Sequence, residues 1–461
     1  MKPKKTAHTT QMDWIRVELR NLIDTLHPLV SVSHQINWMA FDKQFGVKFS
    51  DEGRPAVDTR LMVSLHYLKY TYDLSDEEVV MRHSENPYWQ HFSGKQYFEH
   101  GLAIDPSSMT RWRKRIGVNG AEHLFKETIH TAIKNGCLKE KDCAKVSVDT
   151  TVQTKAVRFP TDSRLYDRMR TKLVKCAEEE NIPLRQTYKR VGPQSLRRVQ
   201  NYAHAKQFKR AAKQTKKLKT LLGRVTRDIE RKVAKPSRTL TSQLELSNRL
   251  LIQERTSKQK IYSIHEPQVE CIAKGKAHQR YEFGNKVGFV VTTKGNWILG
   301  AKGFQGNPYD GHTLKESLTQ ARRLTKIAIQ KVVCDKGYRG HGVTNAEVSI
   351  VPRQKNHATL AIRKWWRRRN AIEPIIGHQK SDHRLERNHL SGTLGDQMNV
   401  VFSASAFNLK KLLRAFCAWV ERLQETVLGS TGWKALLKNG FSGATIYKRC
   451  NHFHLHRERI G

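Results

Sequence analysis

Eighty-three Lys and Arg residues stand against 42 Asp and Glu in this chain, a formal net charge of +41 over 461 residues. No fold can pair that excess internally, so the surface it builds must be strongly cationic. Such a body repels itself, and a polyanion that sheds counterions on binding is the partner that relieves the repulsion. Hydrophobic residues make up 38% of the chain, enough for real cores, and at about 100–200 residues per domain two to four domains are expected. No apolar run approaches the ~18 residues of a membrane helix, and Met1-Lys2-Pro3-Lys4-Lys5 leads into polar residues rather than a signal core. A cytoplasmic, nucleoid-associated protein is therefore expected. The seven scattered cysteines contain no C-x-x-C pair and read as reduced structural thiols.

Residues 1–135 read as helical. Leu61, Met62, Leu65 and Leu68 keep helical spacing, and Ser75 with Glu78 predicts a capping box on the following helix. A further helix begins near Ser107-Ser108 and carries Arg111, Arg113 and Lys114 around Trp112, which suits phosphate contacts or a helix laid in a groove; a solvated basic face is the bland alternative. A second region, 140–425, opens on a β-branched run from Lys145 that ends on Asp149. It is interrupted over 163–260 by a polar, helix-like insertion. Between Arg185 and Lys235 seventeen Lys or Arg face two acids, and Lys206, Lys209, Lys213 and Lys216 fall on one helical stripe, an arrangement expected to lie against a phosphate backbone. Apolar positions on either side of Pro236 predict two amphipathic helices.

Strand signals return at Lys286–Thr293 and Trp297–Gly300 around a Lys294-Gly295-Asn296 turn, followed by a helix near Leu314–Leu324 and a buried strand running into Asp335. The fold class read from this order is α/β, a mixed sheet with a helical amino-terminal region and a long basic helical insertion. Residues 426–461 form a basic, His-rich extension.

Three acids stand out: Asp149 and Asp335 at strand ends, and Glu373 after the run Trp365-Trp366-Arg367-Arg368-Arg369. Carboxylates gathered at neighbouring strand ends can hold two Mg2+ ions, with Mn2+ able to substitute, and such a pair serves in-line phosphoryl transfer. Taken singly, each acid is better explained by an ion pair with a nearby base than by catalysis, and only the order and setting of all three favour the latter. Trp366, Arg369, Glu373 and Lys380 are spaced to share a helical stripe, which Pro374 should start anew or kink. Asp310, in a Gly-rich turn, competes for a place among the acids but lacks a preceding buried strand; Glu386 and Asp396 are weaker competitors.

The spacing Arg369-x3-Glu373-x6-Lys380 resembles the DDE transposases of bacterial insertion sequences marked by a Y-x2-R-x3-E-x6-K signature. The segments Gly275–His278 with Tyr281–Gly284, Gly306–Leu314 and Asp335–Gly340 are similar to that group as well, and the resemblance covers about residues 50–425. It implies a ribonuclease H-like core with Asp149, Asp335 and Glu373 as catalytic and metal-holding triad. It also implies DNA contacts from Trp366, Arg369 and Lys380, and an amino-terminal domain that reads the element's terminal inverted repeats. The implied partners are double-stranded DNA, at the element ends and at the target, and further copies of the chain in a homodimer or larger assembly. Trp366 departs from the signature: an indole replaces a phenol, so stacking on a base survives and the hydroxyl does not. A non-catalytic DNA-binding descendant of such an enzyme, or a ribonuclease H-like nuclease with another task, would carry the same charge and fold.

Overall fold

The computed structural model describes residues 2, 17–50, 52, 55–254, 256–273, 280–352 and 359–438, with backbone alone for 421 and 423–438. The Gly275–His278 segment and most of the expected carboxy-terminal extension lie outside the described residues.

Among the described residues six strands form one mixed sheet: β1 (Lys145–Thr154), β2 (Glu270–Ala273), β3 (Tyr281–Thr292), β4 (Ile298–Phe304), β5 (Lys331–Cys334) and β6 (Glu347–Ile350). β3 runs antiparallel to β1 on one side and pairs on its other side with β2 and then β4; β1, β5 and β6 are parallel. The turn between β3 and β4 uses Gly295 and Asn296 at φ 76° and 55°, left-handed geometry that suits glycine and asparagine in a tight hairpin. One sequence expectation is corrected here. β1 does not end at Asp149 but continues to Thr154, because Thr150-Thr151-Val152 are themselves strand formers and β3 offers partners as far as Gly284. Asp149 is thus a mid-strand residue, placed where β5 has already left the sheet.

β1 and β3 approach closely at Gly284, which lies opposite Thr154. A Cβ there would run into the backbone carbonyl oxygen of Gln153, and a backbone atom cannot swing aside. Gly284→Ala is therefore expected to destabilise the protein by about 1–3 kcal/mol, read as a lowered midpoint in urea unfolding; an unchanged midpoint would refute the close approach.

The helix Thr59–Thr71 starts where the Asp58 carboxylate accepts the Leu61 N–H at 2.8 Å, and Ser75 and Glu78 form both halves of the expected capping box on Asp76–Glu85. Twelve of the thirteen residues of Thr59–Thr71 are buried, which makes it a central helix rather than a surface one. Tyr67 donates to the Leu124 carbonyl in the long helix Ser107–Lys134, and Tyr70 donates to Asn399 in the helix Gly392–Lys438. A single apolar core consequently runs from Leu29 and Phe41 through this helix to Val148 and Phe289 in the sheet and on to Leu412. The insertion has a core of its own, in which Met169 and Leu173 meet Leu218, Leu222, Leu240 and Leu250 from the helices Asp162–Glu179, Phe208–Lys232 and Arg238–Ile252. The last two flank Pro236 as their spacing predicts. Among the described residues no helix is long and apolar enough to cross a membrane, and none of the six described cysteines forms a disulfide.

Candidate active site

β1 and β5 pair in parallel register, Lys145 with Lys331 through Ser147 with Val333. The same offset carried two residues further sets Asp335, just past the end of β5, across from Asp149. Sheet geometry alone therefore brings together two acids far apart in sequence. Asp335 is fixed by accepting the Gly337 N–H at 2.8 Å, and Asp149 by accepting the Thr150 N–H at 2.8 Å.

The third acid arrives on a broken helix. The chain forms Leu360–Arg369, turns at Asn370-Ala371, and restarts as Ile372–Asp382. Pro374 falls in the first turn of the second helix, where its missing N–H is one of the unpaired donors in any case. The restart falls beside Pro374, where the sequence predicts a new start or a kink, and Arg369 still reaches Glu373 across it. Its guanidinium joins all three acids: 3.0 Å to Asp149, 3.6 Å to Asp335 and 3.7 Å to Glu373.

Burial pushes Asp149 up to about 6, with Asp335 and Asp310 adding repulsion and Arg369 and the Thr150 N–H opposing the rise. Perturbed carboxyls of this kind gather at functional sites, although ion-pair clusters perturb them too. Tyr338 is wholly buried near the same acids, and among the described residues its hydroxyl has no hydrogen-bond partner. A set of hard carboxylate oxygens with an orphaned hydroxyl beside it matches in donor chemistry what Mg2+ or Mn2+ takes. Among the described residues no three acidic, His or Cys side chains come near enough to hold one ion as they stand; a guanidinium lies among the acids and shares their oxygens.

Lys380, two turns beyond Glu373, pairs with buried Glu282 of β3 at 3.6 Å. Beside it opens a cleft of about 860 Å³ lined by Lys380, Arg384, Arg387, Arg280 and the rings of Phe159 and Tyr281. Cations next to exposed aromatic faces suit a nucleic-acid strand, since phosphates and base faces are served together. Trp366 is half-buried and its indole N–H donates to Ser349 of β6 at 3.0 Å, so one edge of the ring is anchored to the sheet.

The other basic positions divide. Arg111 and Lys114 are exposed on the first part of Ser107–Lys134, before the break at Gly117 (φ 65°). Arg113 is turned inward. It forms a bidentate pair with Asp76 at 2.8 and 2.6 Å and is withdrawn from any phosphate surface, because its place on the helix faces the core and a carboxylate waits there. Lys209, Lys213 and Lys216 share an exposed stripe of Phe208–Lys232, whereas Lys206, also exposed, sits in a left-handed turn (φ 55°) before that helix begins.

Asp310 lies nearer to this centre than its sequence setting suggested. Its carboxylate accepts from the Thr150 hydroxyl at 2.8 Å and from Lys286 at 2.9 Å. The missing signal was positional: Asp310 comes from a helix start rather than a strand end. Asp396, by contrast, is buried against Lys155 at 2.6 Å and Asn388 at 2.7 Å, away from the triad, and Glu386 lines the cleft.

Residues 17–115 match the family model described as transposase domain (DUF772). The chain is also 46% identical over 208 residues to a protein of Rhizobium meliloti described as "Uncharacterized protein ORF8 in nfe locus"; the match takes in 45% of this chain and the whole of that protein. No solved structure matches the chain.

Proposed function

The chain belongs to the family of the Rhizobium meliloti ORF8 protein and carries a transposase domain, and from that premise we propose that it is a DDE transposase. In this reading it cleaves the ends of an insertion sequence and joins them to target DNA. The observation that carries the reading is the meeting of Asp149, Asp335 and Glu373 on the single guanidinium of Arg369. The sheet supports a ribonuclease H-like core, with an antiparallel β4-β3-β1 half joined to a parallel β1-β5-β6 half and the acids at the junction.

Asp149, Asp335 and Glu373 are the residues that would hold divalent metal. Two Mg2+ ions held there would supply Lewis acidity to the scissile phosphodiester and a stronger nucleophile from water or a 3′-hydroxyl. The remaining work falls to the chain's own side chains. Arg369 offsets the mutual repulsion of the carboxylates and presents a planar cation suited to a phosphate beside them. Lys380, steadied by Glu282, holds the strand along the Ile372–Asp382 helix. Trp366, anchored through its N–H, offers an indole face for a base. Arg111 and Lys114, with Lys206, Lys209, Lys213 and Lys216, grip duplex backbone farther out. Both element ends must be held at once, so a dimer or larger assembly on DNA belongs to the proposal.

The test is to mix the purified protein, MgCl2, a duplex carrying candidate element ends and a target plasmid, and to sequence the junctions. Joining of the terminal repeats to target DNA is the expected result; metal-dependent nicks with no preference for the repeats, or no cleavage, would refute transposition.

A further inference from the structure

Among the described residues β5 pairs with β1 only over Lys145–Ser147, and the next backbone partner on that edge is Asn388, beside Lys155. Asp149 and Thr150 thus stand between two paired stretches of that edge, held by β3 on the other side. Consecutive strand residues point to opposite faces, and here both faces are held. Arg369 takes Asp149 from one, and Asp310 takes the Thr150 hydroxyl from the other. Asp310 is itself tied down, because Lys286 of β3 donates both to its carboxylate at 2.9 Å and to the Pro308 carbonyl at 2.6 Å, fixing the loop that precedes it.

Asp310 also flanks the turn that holds the second acid. A Cβ placed on Gly337 would lie 2.9 Å from Asp335 Oδ1 and 3.4 Å from Asp310 Oδ2. The two carboxylates therefore close on the same narrow space, kept open by the missing side chain, and the Gly337 N–H that holds Asp335 belongs to the same turn.

We infer that Asp310 is a positioning residue for the metal-holding acids, setting Asp149 through Thr150 and Asp335 through the Gly337 turn. The inference rests on the reading of Asp149 and Asp335 as metal ligands and adds a residue whose work is to keep them in register. The role calls for an acceptor oxygen at this point rather than for a charge, so asparagine should serve where alanine fails.

Mn2+ binding to the full chain, followed by electron paramagnetic resonance without DNA, tests this apart from turnover. Asp310→Ala should weaken Mn2+ binding by about tenfold or more, the scale seen when a residue supporting a metal ligand is lost. Asp310→Asn should restore most of it, and Thr150→Val, which removes only the hydroxyl, should weaken it several-fold. Asp335→Asn is the control. If Asp335→Asn loses Mn2+ binding while Asp310→Ala and Thr150→Val bind as the unaltered chain does, the positioning role is overturned and the metal site stands. If Asp310→Asn is as weak as Asp310→Ala, charge rather than placement is at work and the inference also fails. If Asp335→Asn binds normally, the metal reading itself falls and takes the inference with it. Should Asp310→Ala not fold, Thr150→Val decides alone, and unchanged binding there overturns the role.

Discussion

Asp149→Asn and Asp335→Asn proteins are expected to lose strand cleavage by at least about a thousandfold, because removing one member of a concerted catalytic set removes nearly all of its effect. Binding to duplex DNA should stay close to that of the unaltered chain, since it draws on cations distributed over other surfaces. The amide keeps the oxygen that accepts the Thr150 or Gly337 N–H, so the local backbone has no reason to move. Folding should also survive. The Asp149 carboxyl is raised by burial, so its native form takes up protons below about 6 that the unfolded chain releases down to its ordinary range. For a raised acid the sign is clear: its ionisation weakens the fold as pH climbs through that window, and the loss is complete above it. Neutralising Asp149 at pH 7 should accordingly leave the melting temperature unchanged or slightly higher. Retained cleavage in either folded variant, measured on end-labelled duplex with Mg2+, would remove these residues from the triad.

The second large effect is structural and lies far from the acids. Asp76 opens the helix Asp76–Glu85 and is held between Lys69 at 2.7 Å and Arg113 at 2.6 Å, with the side chains of the three only 15%, 6% and 7% exposed. Burial alone would raise this carboxyl, but the Arg113 hydrogen bonds and the Lys69 charge outweigh it and keep it well below the usual range. Burial meanwhile pushes Lys69 down to about 8, with the Asp76 charge opposing the fall and Arg113 adding to it. The bidentate Arg113 contact is the firmer anchor, and Lys69 is the weaker partner. Asp76→Asn would leave two buried cations facing a neutral amide, at a cost of about 3–5 kcal/mol. A depressed acid contributes stability above its ordinary range and loses it as pH falls through that range toward its native value. The unaltered chain should therefore lose stability below about pH 4 through this group, and Asp76→Asn should lack that component. Equal urea midpoints for both proteins at pH 7 would contradict the assignment.

Much of the candidate site was legible because it rests on local rules. The β-branched approach to Asp149, the buried run into Asp335 and the Arg369–Glu373–Lys380 spacing each carry their own signal, and parallel register does the rest. What escaped depends on distant partners. Arg113 looks like its exposed neighbours Arg111 and Lys114 until Asp76, 37 residues away, is placed beneath it. The β-branched run reads as ending on the Asp149 carboxylate, although the branched side chains of Thr150 and Thr151 prolong it. Asp310 carried no strand before it, and only the tertiary meeting with Thr150 and Lys286 reveals its place. The helix Thr59–Thr71 was legible from the spacing of its apolar residues, but spacing alone did not show that nearly all of its polar residues would be buried too.

The insertion departs from the sheet after β1 and the chain rejoins it at β2, yet the apolar side chains of its helices close among themselves. Its helices can be exchanged, shortened or rewritten without disturbing the strands that carry the acids. On the proposed reading, the most cationic stretch of the molecule is thus free to diverge at its own pace with the DNA it would meet, while the sheet and its flanking helix stay under the stricter constraint of keeping three carboxylates in step.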